Sequence, residues 1–306
     1  MFSRLDTSAR MPLLGKVLHT LTRRRVRGET RLRILVVNKL KLLRYVPIQI
    51  ADWPPVYMDL RDPNTRDWFE NSPIASSDHE VDEQSVMRRL VKDHDVVCDI
   101  GANVGLHTAL LSRLVGADGL VIAFEPSPAV LPALRKTVGT MRNAVLFPVA
   151  LSNRECASIL YLAERRSEVA SLANWTDGDY GGIRHAKCHE RRLDDLIAAR
   201  LVPRPDFIKC DVEGAELRVF QGAARILDQV DAPIILFEAN VHTARGFGLG
   251  KKDAMNFLGS LTRAQYAFFE VRGGGALSRK RPVDHVDSNN ILAVPNSKLA
   301  GLHETV

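Results

Sequence analysis

The chain has 306 residues and a formal net charge of +6, long enough for one large core or one core with an appendage. Its longest aliphatic run near the N-terminus, Ile34 to Val37, falls far short of the roughly 20 apolar residues of a membrane-spanning helix, and Lys16 and Arg23 to Arg25 interrupt any secretory signal. The basic residues cluster in one extension with little aromatic interleaving, which makes nucleic acid a poor partner.

Arg23, Arg24, Arg25, Arg27, Arg31 and Arg33 crowd that extension, followed by Lys39, Lys41 and Arg44. On a helical projection Leu32, Leu35, Val36, Leu40, Leu42 and Leu43 gather on one side. Residues 1–47 are therefore predicted to form a basic helical extension. Its first reading is a helix docked on the main domain with its charges in water. The second is a peripheral contact of Arg23 to Arg44 with an anionic membrane. Residues 48–80 place Pro54, Pro55 and Pro63 around the run Val56-Tyr57-Met58, which predicts loops and a short hairpin. A helical pattern over 81–91 opens the main domain, residues 81–306.

From Asp95 onward short apolar runs alternate with helical patterns. Strands are predicted at Val96 to Ile100, Leu120 to Phe124, Val145 to Val149, Phe207 to Cys210 and Ile234 to Phe237. Helices are predicted at Leu106 to Leu114, Ala129 to Val138, Ala215 to Leu227 and Lys252 to Leu261, with late antiparallel strands at Phe268 to Val271 and Ile291 to Val294. This alternation predicts an α/β fold, a doubly wound and mostly parallel sheet with helices on both faces. Cys98, Cys156, Cys188 and Cys210 include no CxxC pair, which points to a reducing, cytoplasmic setting without a disulfide framework. His185, Cys188 and His189 lie close together but lack an apparent fourth metal ligand.

The sharpest motif is Asp99-Ile-Gly101-Ala-Asn103-Val-Gly105, directly after a predicted strand and before a predicted helix. Its glycines permit a tight turn and close approach of backbone to ligand. A pyrophosphate on this turn would meet the side chain of Asn103 and the charge of Asp99, which disfavours a nicotinamide dinucleotide. The same charge suits the ammonium of S-adenosylmethionine, which carries no phosphate. Glu125, followed by Pro126, ends the second strand about 20 residues on, where an acid binds ribose hydroxyls.

These segments, with Ala150-Leu151-Ser152, Leu193-Asp194-Asp195-Leu196 and Lys209-Cys210-Asp211-Val212-Glu213-Gly214-Ala215-Glu216, resemble the FkbM-type methyltransferases. The resemblance runs from about Glu80 to Val294. It implies a class I, Rossmann-like methyltransferase fold, a cofactor site that includes Ser152, and O-methylation of hydroxyl groups on polyketides, sugars or glycolipids. Arg192 and the long polar segment from Arg165 to His185 depart from the family pattern.

An unactivated hydroxyl benefits from a general base, and ligands of open α/β sheets sit beyond the carboxyl ends of the strands. Asp211 and His242 are the first candidates for that base, with Glu213 and Glu238 next. A Mg²⁺ shared by Asp211, Glu213 and Glu238 is a further option, since hard oxygen ligands suit it. Lys209 is expected on the opposite face of its strand. A non-catalytic binding protein on the cofactor fold is the alternative, and a nicotinamide-dependent oxidoreductase a weaker one.

Overall fold

The computed structural model describes residues 44–59, 61, 78–164, 170–175 and 181–303. Of the predicted basic extension, residues 1–43 lie outside the described residues.

Tyr45–Ile48 (β1) and Val56–Asp59 (β2) form an antiparallel hairpin. Val46, Ile48, Val56 and Met58 point to the core while their neighbours are half-buried, the period-two alternation of a one-sided strand. The hairpin expected around Val56-Tyr57-Met58 thus begins at Tyr45, inside the segment assigned to the extension. Asp78–Leu90 (α1) follows, then Val96–Ile100 (β3), Leu106–Leu114 (α2), Leu120–Phe124 (β4), Leu131–Val138 (α3) and Ala144–Phe147 (β5). Next come four strands of a separate small sheet, Ala150–Leu151 (β6), Cys156–Ala163 (β7), Ala170–Ser171 (β8) and Ile183–Arg191 (β9). The main sheet resumes with Leu193–Ala198 (α4), Phe207–Cys210 (β10), Glu216–Gln221 (α5), Ala224–Leu227 (α6), Ile234–Glu238 (β11), Val241–Arg245 (α7) and Asp253–Gly259 (α8). Ala267–Arg272 (β12), Ala276–Lys280 (β13), Asn290–Val294 (β14) and Leu299–His303 (α9) close the described chain.

The main sheet runs β13-β12-β14-β11-β10-β3-β4-β5. β11, β10, β3, β4 and β5 are parallel, and β12, β13 and β14 are antiparallel. Side-chain alternation sorts two cores. Val97, Val121, Phe207 and Leu236 face α1, α2 and the β1–β2 hairpin, whereas Cys98, Ile122, Ile208 and Phe237 face α4, α5, α6 and α8. Strands buried on both faces can only lie inside such a sandwich, which is why β4 reads as a continuous apolar run and β3 and β10 as apolar runs broken only by Asp99 and Lys209. The sheet is the doubly wound, Rossmann-like one expected from the sequence, and its late antiparallel strands are β12 and β14.

Three features depart from expectation. The single helix predicted over 215–227 is two helices, because Gly222 lies against the small sheet. A Cβ there would sit 1.9 Å from the carbonyl oxygen of Ser152. Asp194 then supplies a new N-terminal cap, its carboxylate accepting from the Arg225 and Ile226 amides at 2.8 and 3.1 Å. The small sheet, ordered β6-β9-β7-β8, and the edge strand β13 were not foreseen.

Glu270 of β12 secures the loop that enters β14. It is wholly buried and accepts from the Asp287 and Ser288 amides and from Arg272, with Lys280 3.2 Å away. Burial opposes its charge, but the Ser288 amide, Arg272 and Lys280 outweigh burial and hold its carboxyl down at about 2. Glu270→Ala should cost about 2–3 kcal/mol in urea unfolding, the scale for hydrogen bonds to a charged group. Because the folded value is depressed, this contribution is complete above the ordinary glutamate value of 4.5 and fades as pH falls towards 2. The difference between wild type and variant should shrink across that window.

Candidate functional site

The carboxyl ends of β3, β4 and β10 converge on a cavity of about 230 Å³. Gly101 leaves β3 with φ +82°, its amide donating to the Phe124 carbonyl at 3.0 Å. A Cβ at Gly101 would lie 1.8 Å from the Asp211 carbonyl oxygen, so only glycine lets β3 and β10 end side by side here. Asn103 continues the turn at φ +50°, and α2 begins after Gly105.

Glu125 bridges this turn to the next. Its two carboxylate oxygens accept from the Asn103 amide at 2.9 Å and the Ser127 amide at 2.8 Å. Burial pushes its carboxyl up to about 7, against the pull of those two amides. Each oxygen keeps a lone pair for a ribose hydroxyl, and Glu125 and Pro126 both line the cavity. The Asn103 side-chain oxygen, also on the lining residue, is buried without a hydrogen-bond partner among the described residues. A nucleoside with free hydroxyls fits this donor and acceptor set.

Behind the turn lies an ionic cluster centred on Lys209. The lysine is 4% exposed, and its ammonium stands 3.3 Å from Asp211 Oδ2. Burial works against its charge, yet Asp211, Asp99 and Glu83 outweigh burial and raise its pKa above the ordinary value. Lys209 and Asp211 are two residues apart and share one face, so the expectation that Lys209 points away is corrected. Burial chiefly pushes Glu83 up to about 8, and burial with the charges of Asp211, Glu216 and Glu83 pushes Glu238 up to about 9.

Gly101, Asn103, Glu125, Pro126, Asp211 and Glu213 line the cavity as a group. Gly105 stands just behind it, against Leu134 and Thr137. Asp99, expected to meet an ammonium, is wholly buried, and its Oδ2 accepts from Thr108 Oγ1 at 2.6 Å. Neither Asp99 nor Ser152 is a lining residue; Val149, Ala150 and Leu151 line the wall instead of Ser152. Glu238 is half-buried at the end of β11, and His242 is exposed on α7, so neither borders the cavity. Glu216 bonds the Val212 and Gly214 amides and holds the turn together. No three His, Cys, Asp or Glu side chains among the described residues are placed to hold a metal ion. The Mg²⁺ expected on Asp211, Glu213 and Glu238 therefore has no ligand set here; the cation beside Asp211 is the Lys209 ammonium. The cluster of His185, Cys188 and His189 likewise forms no metal group.

Sequence reasoning missed Glu80, His107 and Lys209, which line the cavity, and the wall of Leu160, Ala170, Ser171 and Leu172 from the small sheet. Ser171 Oγ donates to the Glu213 carbonyl at 2.9 Å and clasps that wall to the turn after β10. His107 was legible as the second residue after Gly105, and Lys209 by its period-two spacing from Asp211.

Residues 99–269 match the family model described as the methyltransferase FkbM domain. The hexuronic acid methyltransferase AglP of Haloferax volcanii is 28% identical over 162 residues, covering 52% of this chain and 64% of that protein. The AMB antimetabolite synthetase AmbE of Pseudomonas aeruginosa is 27% identical over 198 residues, 53% of this chain and 9% of that one. The match thus spans less than two thirds of either relative. Among solved structures, the O-methyltransferase TomG of Streptomyces achromogenes, in complex with S-adenosylmethionine, is similar at a TM-score of 0.41 and 11% identity, over 73% of this chain and 82% of that one. A precorrin-6y C5,15-methyltransferase of Geobacter metallireducens is similar at 0.39 and 15%, over 73% and 92%.

Glu125→Ala should weaken binding of S-adenosylhomocysteine in calorimetry by about 10- to 100-fold, the scale for hydrogen bonds to a charged acceptor. Hydroxyl donors favour the ionised carboxylate. Wild-type affinity should therefore hold above about 7, where Glu125 is ionised, and weaken by up to about tenfold per pH unit below it. The variant should lack that slope.

Proposed function

This chain belongs to the FkbM methyltransferase family, and on that premise we propose that it transfers a methyl group from S-adenosylmethionine to a hydroxyl oxygen of a sugar, glycolipid or polyketide-type acceptor. The observation that carries this reading is the juxtaposition of Glu125 and Asp211 on one cavity. One is suited to ribose hydroxyls, the other stands where an acceptor would approach. The hexuronic acid methyltransferase among the relatives favours a sugar acceptor.

When bound, S-adenosylmethionine supplies the methyl group on a positively charged sulfur. The residues of this chain do the rest. Gly101, Asn103, Glu125 and Pro126 hold the adenosine end. Lys209 fixes Asp211 through Oδ2 and leaves its other oxygen to take the proton of the acceptor hydroxyl. The walls from β4, β10 and the small sheet exclude water and fix the approach, and alignment of this kind removes several kcal/mol of the barrier. Glu213 lines the acceptor side. Glu238 and His242 remain candidates of lower rank, since they approach from beyond the cavity.

Asp211→Asn should leave S-adenosylhomocysteine affinity within a few-fold and lower turnover by roughly 100-fold or more, the scale for losing a general base. Labelled S-adenosylmethionine incubated with extract of the source cells identifies the acceptor. Activity should survive chelation; loss restored by Mg²⁺ would show that the acceptor completes a metal site. Cofactor binding with no methylated product in any extract would favour the non-catalytic reading.

We further propose the division 1–47, 48–80 and 81–306 into extension, lead-in and catalytic domain, with the first strand of the hairpin, Tyr45–Ile48, overlapping the end of the extension, in a cytoplasmic enzyme whose extension would dock on that domain. No helix among the described residues is long and apolar enough to cross a membrane. Removing residues 1–43 should lower thermal stability and leave anionic-liposome co-sedimentation unchanged. Salt-sensitive vesicle binding that disappears with the truncation would instead assign the arginines to a membrane surface.

A further inference from the structure

The small sheet packs one face inward and turns the other to solvent, and the solvent face carries a composition that folding does not require. In the register of β7 against β9, Ala157 stands opposite His189, Ile159 opposite Lys187 and Tyr161 opposite His185. Alternation sends these six side chains to one side, away from Leu160, Leu162 and Cys188, which pack together on the other. His185, Lys187 and His189 are exposed, and so is Ile159, at 44%. Tyr161 and His185 meet edge to face with ring centroids 5.1 Å apart, which steadies the tyrosine ring. At the end of this face Glu155 is taken by Arg191, Oε1 to Nε 3.1 Å, whereas Lys187 has no ion-pair partner among the described residues.

This face is continuous with the cavity at the edge strand β8. Ser171, opposite Tyr161, lines the cavity and also borders a shallow hollow whose other walls include Tyr161, Asn174 and Trp175. The same serine is clasped to the Glu213 carbonyl. Trp175 packs on the end of α7, where a Cβ at Gly246 would stand 2.5 Å from the tryptophan Cβ. The hollow therefore adjoins the turn that carries Asp211, on the side where an acceptor would approach. Aromatic rings beside such a site suit the C–H face of a pyranose, and Asn174 offers amide groups to its hydroxyls. A neutral glycan would make no use of the cationic row, and a simple phosphate none of the rings. From His185 to His189 that row spans about 13 Å, the length of a short oligosaccharide.

We propose that the outer face of the small sheet is an acceptor subsite for acidic sugar units next to the sugar that is methylated. Tyr161 and Trp175 stack on the pyranose rings, and Lys187, flanked by His185 and His189, pairs with their carboxylates. The proposal rests on the hydroxyl-methylation reading given above and adds to it the charge and length of the acceptor, an anionic oligosaccharide rather than a single neutral sugar. Lys187 stands outside the cavity, so it contributes to acceptor affinity and not to the chemical step.

The test titrates the full chain, saturated with S-adenosylhomocysteine, with trigalacturonate and with neutral maltotriose in a calorimeter. Trigalacturonate should bind, more weakly as salt is added, and maltotriose should bind about tenfold or more less tightly. Lys187→Glu should weaken trigalacturonate by about tenfold or more and leave S-adenosylhomocysteine affinity unchanged, while Lys187→Arg should keep both. Tyr161→Leu should weaken both saccharides. Equal affinity for the two saccharides, or trigalacturonate binding unchanged in Lys187→Glu, would overturn the proposal. A single-stranded oligonucleotide that bound where trigalacturonate did not, and was lost in Lys187→Glu, would give the face to nucleic acid and overturn it as well. Failure of trigalacturonate to bind while S-adenosylhomocysteine still binds removes the subsite alone, whereas a chain that binds no S-adenosylhomocysteine loses the methyl-transfer reading itself.

Discussion

One ammonium, buried in the sheet, holds two carboxylates in place at the ends of the central strands. Lys209 lies opposite Asp99 in the register between β10 and β3, and Asp211 follows it on the same face. Neither sign could remain there alone, since an uncompensated buried charge costs about 3–5 kcal/mol when its partner is removed. Burial, with the neighbouring carboxylates, then pushes the remaining acids of the cluster towards their protonated forms. Glu83, pushed up to about 8, and Glu238, pushed up to about 9, are mainly neutral at pH 7 and can donate as well as accept. His107 loses its proton to the same burial and the same lysine. The result is a polar, nearly neutral floor beneath a cofactor that arrives positively charged.

The same cluster explains why the strand ends stay in place. β3 and β10 approach closely enough that Gly101 touches the Asp211 carbonyl, a contact that excludes any side chain. Glu125 then ties the turn after β3 to the turn after β4 through backbone amides. Glu216 does the same for the turn after β10. These acids serve the loops first and the ligand second. A site assembled in this way is rigid before the ligand arrives, so little ordering cost falls on binding.

The strands β3, β4 and β10 were legible to the residue because burial on both faces leaves a short run between polar breaks that is apolar except at Asp99 and Lys209. The turn motif and Glu125 were legible as neighbours because the spacing of strand, turn and strand brings both to one cavity, where Glu125 accepts from the Asn103 amide. The small sheet was not, for a physical reason. β9 is exposed or half-buried along most of its length, and only Cys188 and Glu190 are buried in Ile183–Arg191, so its composition resembles a polar loop. The edge strand β13 hides in the same way. Asp99 and Ser152 carry the right chemistry in the right motifs, yet packing turns them away from the cavity, which no spacing rule reports. Glu83 could not be found from sequence at all, since its place near Lys209 and Asp211 depends on how α1 packs.

The wall formed by Leu160, Ala170, Ser171 and Leu172 belongs to a sheet that, among the described residues, shares no ladder with the main one. It is fastened to the turn after β10 by Ser171 and to α5 by the contact at Gly222. Substitutions between β7 and β9 can therefore reshape what faces the reacting group while the eight-stranded scaffold and the adenosine contacts stay as they are. Diversification of acceptors then needs no change of scaffold: this partition is the part that evolution, or an engineer, can exchange.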